Sequence, residues 1–444
     1  LDSVNSIKRK KYLEQWQTNV DEMFGESNMN KLEAAFGKPY RRALEDALSR
    51  MKSGRNKKFT ASNEQVNAWT NWVNNSVGTI MFLNSRSAIL QTLSTVNFLN
   101  FEDNNVFKAG AAFANQPQYW KDFKFLFNSD FLKERRGGLR FNVSESEIAD
   151  AAKRGGARGV VSKILQAGFL PTQMADSFAI AAGGATFYRN RLNTYLKETD
   201  ADGNKIYTEA EAQEKTFLDF RETAEESQQS SRPDRISMEQ AGPLGRTILA
   251  FANTPAQYTR IMKKAVSDIK NGRGSLKANV SRLIYYGVVQ NVIFGAIQAA
   301  TFSLAFGDGD EEDQLFEEKA MRIANGTADS ILRGAGLYGA IAATIKNTAI
   351  KLIKESKKPR TDYFEAGLVE LAGISPPIQS KVKKWRSATK SYEYNKKEME
   401  AKGFSLDSPS YLAGANVIAA FTNLPTDRVV KKVTNVYDAM QEDV

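Results

Sequence analysis

The residues whose types and spacing come nearest to a metal site lie between positions 200 and 211. Four oxygen-bearing side chains imitate positions one, three, five and twelve of an EF-hand calcium loop: Asp200, Asp202, Asn204 and Glu211. Position six, where the sharp turn needs glycine, is Lys205, and its charge opposes Ca²⁺. We therefore favour a turn followed by a helix that Thr208 caps, and we keep calcium as the weaker alternative.

Other carboxylates lack a motif that would make them catalytic. Glu102 and Asp103 are adjacent, and the acidic run at 308–313 could collect divalent ions, but a solvated loop before a helix explains that run more simply. The chain contains no histidine and no cysteine, which excludes Ser-His-Asp and Cys-His nucleophiles, zinc fingers and disulfides. We predict a protein that is not an enzyme and that binds no cofactor.

Helical signals dominate the elements that would position these groups. Apolar residues follow one another at steps of three and four near the start, at Leu13, Trp16 and Val20. Thr208 with Glu211 resembles a capping box, and Ser375 and Ser408 each precede a proline. Alternation typical of strands is confined to 139–143 and a turn near Gly203. The predicted fold class is all-α, with long helices in an extended multi-helix bundle and little or no β-structure.

Glycine-rich and polar stretches at 135–140, 225–231 and 307–313 are the predicted joints between regions. The expected regions are an N-terminal helical region (1–135), a helical region with a turn near residue 203 (136–230), a region with a long apolar helix (231–310) and a basic C-terminal helical region (311–444). Because residue 1 is leucine, we expect a processed product or part of a longer protein.

Residues 283–306 carry no charge over 24 positions, which is long enough to cross a hydrocarbon core. Three amides, at Gln290, Asn291 and Gln298, favour instead a central helix buried in a large helical protein. Both interpretations stay open. The residues expected to contact a membrane or another subunit are Leu283, Tyr285, Tyr286, Val289, Ile293, Gly295 and Ala299.

Residues 119–136 place aromatic side chains on one predicted helical face and lysines around the other. Such a helix suits a lipid interface, although a face turned to the protein core is the commoner arrangement. Trp120, Phe123 and Phe127 are its candidate contacts with a membrane or another subunit.

Positive charge concentrates in residues 346–390, which hold 11 Lys and Arg against 4 Asp and Glu, although the whole chain has a net charge of only +10. Lys381, Lys383, Lys384 and Arg386 surround an apolar stripe that includes Trp385, and we predict that these four residues contact nucleic acid without reading its sequence. A solvated basic face is the alternative.

Three stretches, Asp219–Ser231, Gly245–Arg260 and Ile284–Phe294, resemble a segment of very large virion-associated proteins of tailed bacteriophages, especially short-tailed ones. The similarity covers roughly Phe169–Phe306. It implies a helical, oligomeric internal capsid or ejection protein that lies in the capsid interior or near the portal and later in the host envelope. Its implied partners are further copies, other virion proteins, phage DNA and the host membrane.

Two alternatives remain beside this expectation. The chain could be a helical support domain of a larger virion enzyme, such as a polymerase or a cell-wall hydrolase. It could also be a purely structural component of the head or tail.

Overall fold

The computed structural model describes residues 2–53, 64–83, 92–100, 103–138, 163–165, 167–227, 235–250, 252–289, 324–326, 328–329, 331–355, 369–403 and 408–442. Across these ranges the chain is helical and forms no strand, apart from an isolated antiparallel bridge between Thr199 and Lys205. The predicted all-α class is therefore confirmed. The stretch 139–143, where a short strand was predicted, lies outside the described residues.

The helices follow one another along the chain as α1 (Asp2–Met23), α2 (Glu26–Phe36), α3 (Lys38–Ser53), α4 (Glu64–Met81), α5 (Val106–Ala114), α6 (Gln116–Phe127), α7 (Asp130–Gly138), α8 (Leu170–Tyr195), α9 (Glu209–Ser227), α10 (Met238–Ala241), α11 (Pro243–Ile248), α12 (Asn253–Lys270), α13 (Leu276–Ile284), α14 (Leu337–Glu355), α15 (Pro376–Lys402), α16 (Pro409–Phe421) and α17 (Thr426–Glu442). Short 3₁₀ turns cover Leu93–Phe98 and Ala372–Ile374, and a π-helical turn covers Tyr285–Val289.

Three predicted helix starts have the expected capping contacts. The backbone N–H and the hydroxyl of Thr208 both donate to Glu211, which lowers the pKa of that carboxyl group. The hydroxyl of Ser375 accepts from the backbone N–H of Ile378, and that of Ser408 accepts from the backbone N–H of Ser410. These contacts satisfy N–H groups that an uncapped first turn would leave without a partner.

The apolar face predicted near the start of the chain is shallower than expected. Trp16 and Val20 are half-buried on α1, whereas Leu13 is exposed. Spacing in the sequence defines such a face, but how deeply it is buried depends on the elements that pack against it.

Helix α8 is the centre of the largest core among the described residues and packs against α5, α6, α7, α9 and the turn at Leu93–Phe98. Its middle, residues 179–185, consists mostly of alanine and glycine and is buried on every side. Small side chains allow neighbouring helices to approach closely, so this stretch fits between its neighbours where larger residues would not. The rings of Phe98 and Phe220 pack against this alanine- and glycine-rich stretch, with their centroids 5.7 Å apart.

Candidate functional site

The basic helix α15 divides its predicted nucleic-acid contacts between two faces. The ammonium of Lys381 donates to the backbone carbonyls of Ala419, at 2.6 Å, and Thr422. Lys384 forms an ion pair with Asp427, with 2.8 Å between Nζ and Oδ1. These two lysines therefore face inward and fasten α15 to the end of α16 and the start of α17.

The inward position of these two lysines changes their proton affinity. Burial, together with the neighbouring charge of Lys384, lowers the pKa of Lys381 to about 8. Burial also lowers the pKa of Lys384, against the opposing effect of Asp427. The C-terminal carbonyls of a helix attract cations, so Lys381 stabilises the end of α16, and Lys384 adds its ion pair with Asp427 at the start of α17.

The other two predicted contacts lie away from this junction. Lys383 is exposed and Arg386 is partly buried. On the same side as Lys383, the exposed residues Ser387, Lys390 and Tyr394 continue along the helix. The prediction named none of these three, although their spacing of three and four residues was visible in the sequence.

The aromatic face predicted for residues 119–136, which falls mainly on α6, is largely part of the core. Tyr119 is buried and its hydroxyl donates to the carbonyl of Ala182 at 3.3 Å. Phe123 and Phe127 are partly buried, stack with their centroids 5.5 Å apart and pack against the core around α8. The inward-facing alternative therefore describes this face better than a lipid interface does.

Trp120 is different, because half of its surface is exposed. Its ring lies 5.3 Å from that of Phe123, which in turn lies 5.4 Å from the ring of Phe178 on α8. Phe113 joins the same series of rings through Tyr119, at 4.9 Å. We call Phe113, Trp120, Phe123 and Phe178 the aromatic ridge. Phe113 and Phe178 are each about half exposed.

Tyr285, near the start of the apolar segment 283–306, lies in the protein interior, whereas Ile284 beside it is about half exposed. Tyr285 is only 6% exposed, and its hydroxyl donates to the backbone carbonyl of Val96 at 2.7 Å. Burial raises its pKa. Tyr286 packs edge-on against Tyr285 and also contacts Tyr258, with centroid distances of 5.2 and 5.5 Å.

The remainder of that segment is described only in part. Leu283 is half-buried on α13, and Val289 ends the π-helical turn. Ile293, Gly295 and Ala299 lie outside the described residues. Among the helices in the described ranges, none combines the length and the apolar character needed to cross a membrane.

A charged cleft of about 320 Å³ opens between α9, α12 and α13. Its charged lining groups are Arg191, Asp219, Glu222, Glu226, Lys264 and Arg282. The Nε atom of Arg191 lies 2.7 Å from a carboxylate oxygen of Asp103 and 3.7 Å from one of Asp219.

Tyr195 also donates to Asp219 at the edge of this cleft, at 2.6 Å. Burial and this hydrogen bond raise the pKa of Tyr195 to about 12. Asp103 therefore forms an ion pair with Arg191 that has a structural role. Glu102, which precedes Asp103 in the sequence, lies outside the described residues. The cleft holds equal numbers of acidic and basic side chains, so no single sign of charge dominates it.

Replacing Tyr195 by phenylalanine is expected to remove a pH-dependent part of the stability. Because folding raises the pKa of this hydroxyl above its ordinary value of 10, its contribution is complete below pH 10 and is lost as the pH rises to about 12. Urea unfolding at pH 9 should therefore show Tyr195→Phe less stable than the wild type, and the difference should shrink by pH 12. A difference that stays constant over this range would contradict the assignment.

The EF-hand-like residues have other partners in the structure. One carboxylate oxygen of Asp200 accepts the backbone N–H groups of Asp202 and Asn204, at 3.0 and 2.8 Å, and Glu211 caps α9 through Thr208. In the part of the chain that the structure describes, no group of three or more acidic side chains is placed to hold a metal ion. The geometry is that of a capped turn.

The chain matches no protein-family model, no curated protein and no solved structure. The resemblance to phage virion proteins therefore depends on the sequence stretches themselves.

Proposed function

We propose that this chain is a non-enzymatic internal capsid or ejection protein of a tailed bacteriophage, which forms a homo-oligomeric helical scaffold or conduit for genome delivery across the host envelope. The observation that best supports an assembly role is the aromatic ridge. Aromatic side chains that remain half exposed, next to one another and over a well-packed core, are typical of surfaces that another protein or a membrane covers.

The composition of the ridge fits contact between subunits. Tryptophan and phenylalanine bring a large apolar area at a low cost in side-chain entropy, and burial of apolar surface releases about 25 cal/mol per Å². Trp120 and Phe178 come from different helices, α6 and α8, which pack directly against each other. The ridge is therefore a rigid surface that a second copy can bind without reordering it.

The phage context of this proposal comes from the resemblance over residues 169–306. That stretch includes α8 and the buried Tyr285 of the π-helical turn, so it forms much of the described core. In this proposal the ridge contacts neighbouring subunits inside the particle, and after ejection the same apolar surface contacts lipid.

Replacing Trp120 and Phe178 together by serine tests the assembly role. In sedimentation velocity experiments at micromolar concentrations, the wild-type chain should self-associate, and W120S/F178S should weaken association by a factor on the order of 30, as expected for loss of about 2 kcal/mol at a central contact. A matched control, L244S/Y338S, removes two other exposed apolar side chains and should change association less than about threefold.

Circular dichroism would first show that both variants keep the helical content of the wild type. A wild-type chain that stays monomeric, or a control that weakens association as strongly as W120S/F178S, would contradict the proposal. Flotation with vesicles of phosphatidylethanolamine and phosphatidylglycerol tests the lipid stage with the same variants. These substitutions are preferable to deletion of residues 283–306, because that deletion would also remove the buried Tyr285.

A further inference from the structure

We propose that the outer face of α15, formed by Lys383, Ser387, Lys390 and Tyr394, binds the phosphate backbone of duplex DNA without reading its base sequence. This inference deepens the proposed function by naming a partner for the protein. It also replaces two residues of the predicted nucleic-acid set, Lys381 and Lys384, whose ammonium groups are used inside the fold.

The four residues form a continuous stripe because they are spaced by four, three and four positions. Residues at these spacings lie on the same face of an α-helix, and a rise of 1.5 Å per residue gives the stripe a length of about 16 Å. All four side chains are exposed. The stripe ends where the helix kinks at Asn395.

Every member of this stripe can donate a hydrogen bond to a phosphate oxygen. Lysine, serine and tyrosine side chains all contribute to phosphate contacts in protein–DNA complexes. No aspartate or glutamate occurs between Pro376 and Tyr392, so the helix carries no carboxylate from its start through Lys390; the exposed Glu393, beside Tyr394, is the first. The local charge is therefore strongly complementary to a polyanion.

Lys383 and Lys390 have no ion pair or hydrogen bond within the described part of the chain, in contrast to other lysines of the same helix. Lys396 lies near Glu400 and Lys402 near Glu398, with Nζ–Oε1 distances of 4.0 and 3.0 Å. The charges of Lys383 and Lys390 are thus available to an external anion.

The inner face of α15 keeps the stripe in place. Ala388 is buried, and Lys381 and Lys384 connect the helix to α16 and α17. A face that is fixed before binding loses little conformational entropy when it binds, since only the lysine side chains must become ordered.

A lipid surface fits this stripe less well than DNA does. A helix that lies in a membrane interface inserts an apolar face between the lipids. The stripe itself contains no aliphatic side chain. Trp385, an apolar residue of the same helix, lies outside the stripe; its ring is 5.3 Å from that of Phe421 on α16, and the two residues are 51% and 72% exposed. Because the stripe itself has no aliphatic side chain to insert between lipids, the observations favour binding to the phosphate backbone of DNA over binding in a membrane interface.

The test measures binding of the full chain to a labelled 20-base-pair duplex by fluorescence anisotropy at several salt concentrations. K383Q/K390Q should lower the affinity by a factor on the order of ten and reduce the slope of log affinity against log salt by about 2, one for each lysine that no longer neutralises a phosphate. The control K263Q/K270Q neutralises two exposed lysines of α12 with the same spacing of seven residues, and it should change both quantities little.

Several results would overturn this inference: no binding of the wild-type chain to the duplex, equal losses in K383Q/K390Q and in the control, or binding to anionic vesicles but not to the duplex. Tighter binding to the single strand of the same sequence than to the duplex would also overturn it. The outcome is separable from that of the proposed function. A monomeric chain that loses DNA binding in K383Q/K390Q would support this face and contradict the scaffold.

Discussion

Replacing Gly183 by alanine is expected to lower the free energy of unfolding by about 3 kcal/mol, because the added methyl group has no room. A Cβ atom at this position would lie 2.3 Å from the backbone carbonyl oxygen of Thr95 and 2.8 Å from the ring of Phe98. A backbone atom cannot move aside as a flexible side chain can, so α8 and the turn at Leu93–Phe98 would have to separate. Urea unfolding followed by circular dichroism measures the change.

Gly110→Ala provides the matched control for this substitution. Gly110 lies within α5, and a Cβ atom there would meet nothing within 4 Å. Alanine should stabilise this helix by about 0.5 to 1 kcal/mol, because it restricts the unfolded backbone more than glycine does. Equal effects at Gly183 and Gly110 would show that close packing around α8 does not control the stability.

The second large effect is expected at the buried ion pair between Arg135 and Asp176. Both side chains are almost fully buried, with side-chain exposures of 2% and 1%, and Nε of Arg135 lies 2.6 Å from Oδ2 of Asp176. Asp176→Ala should destabilise the protein by about 3 to 5 kcal/mol, because it removes the closest counter-charge of a buried guanidinium. Glu225 keeps a longer contact with the same guanidinium, with 3.9 Å between Nη1 and Oε1, against 2.6 Å for the contact that is lost.

The double variant R135M/D176L separates the cost of losing the closest counter-charge of a buried guanidinium from the cost of an altered core. It should be clearly more stable than Asp176→Ala, since it removes the buried guanidinium together with its closest counter-charge. A surface control, Glu398→Ala, breaks the exposed ion pair with Lys402 and should cost less than about 1 kcal/mol. If Asp176→Ala were as mild as Glu398→Ala, the pair would not be a stabilising part of the core.

The helices and several of their starts could be predicted from local features of the sequence. Thr208, Ser375 and Ser408 each act on N–H groups two or three residues away, so the information is contained in a short stretch. The helix α8 is a different case. Its buried polar residues Thr172, Gln173 and Asp176 would be placed outside by their chemistry, and only tertiary packing brings them into the core.

The candidate surfaces depend on long-range contacts, and their prediction was correspondingly incomplete. The sequence shows which residues of α15 share a face, but the choice of the inner face follows from contacts with Ala419, Thr422 and Asp427 about 40 residues later. Tyr285 appeared suited to a membrane interface, yet its partner, Val96, lies 189 positions earlier. No local pattern contains that information.

The most direct test of the central claim, that the chain acts by assembling with copies of itself, is electron microscopy of the purified full-length wild-type chain at micromolar concentration. The proposal predicts symmetric multi-subunit particles, because most homo-oligomers have closed point-group symmetry. It also predicts that these particles are absent in W120S/F178S and retained in L244S/Y338S. Uniform single-chain particles in the wild-type sample would contradict it.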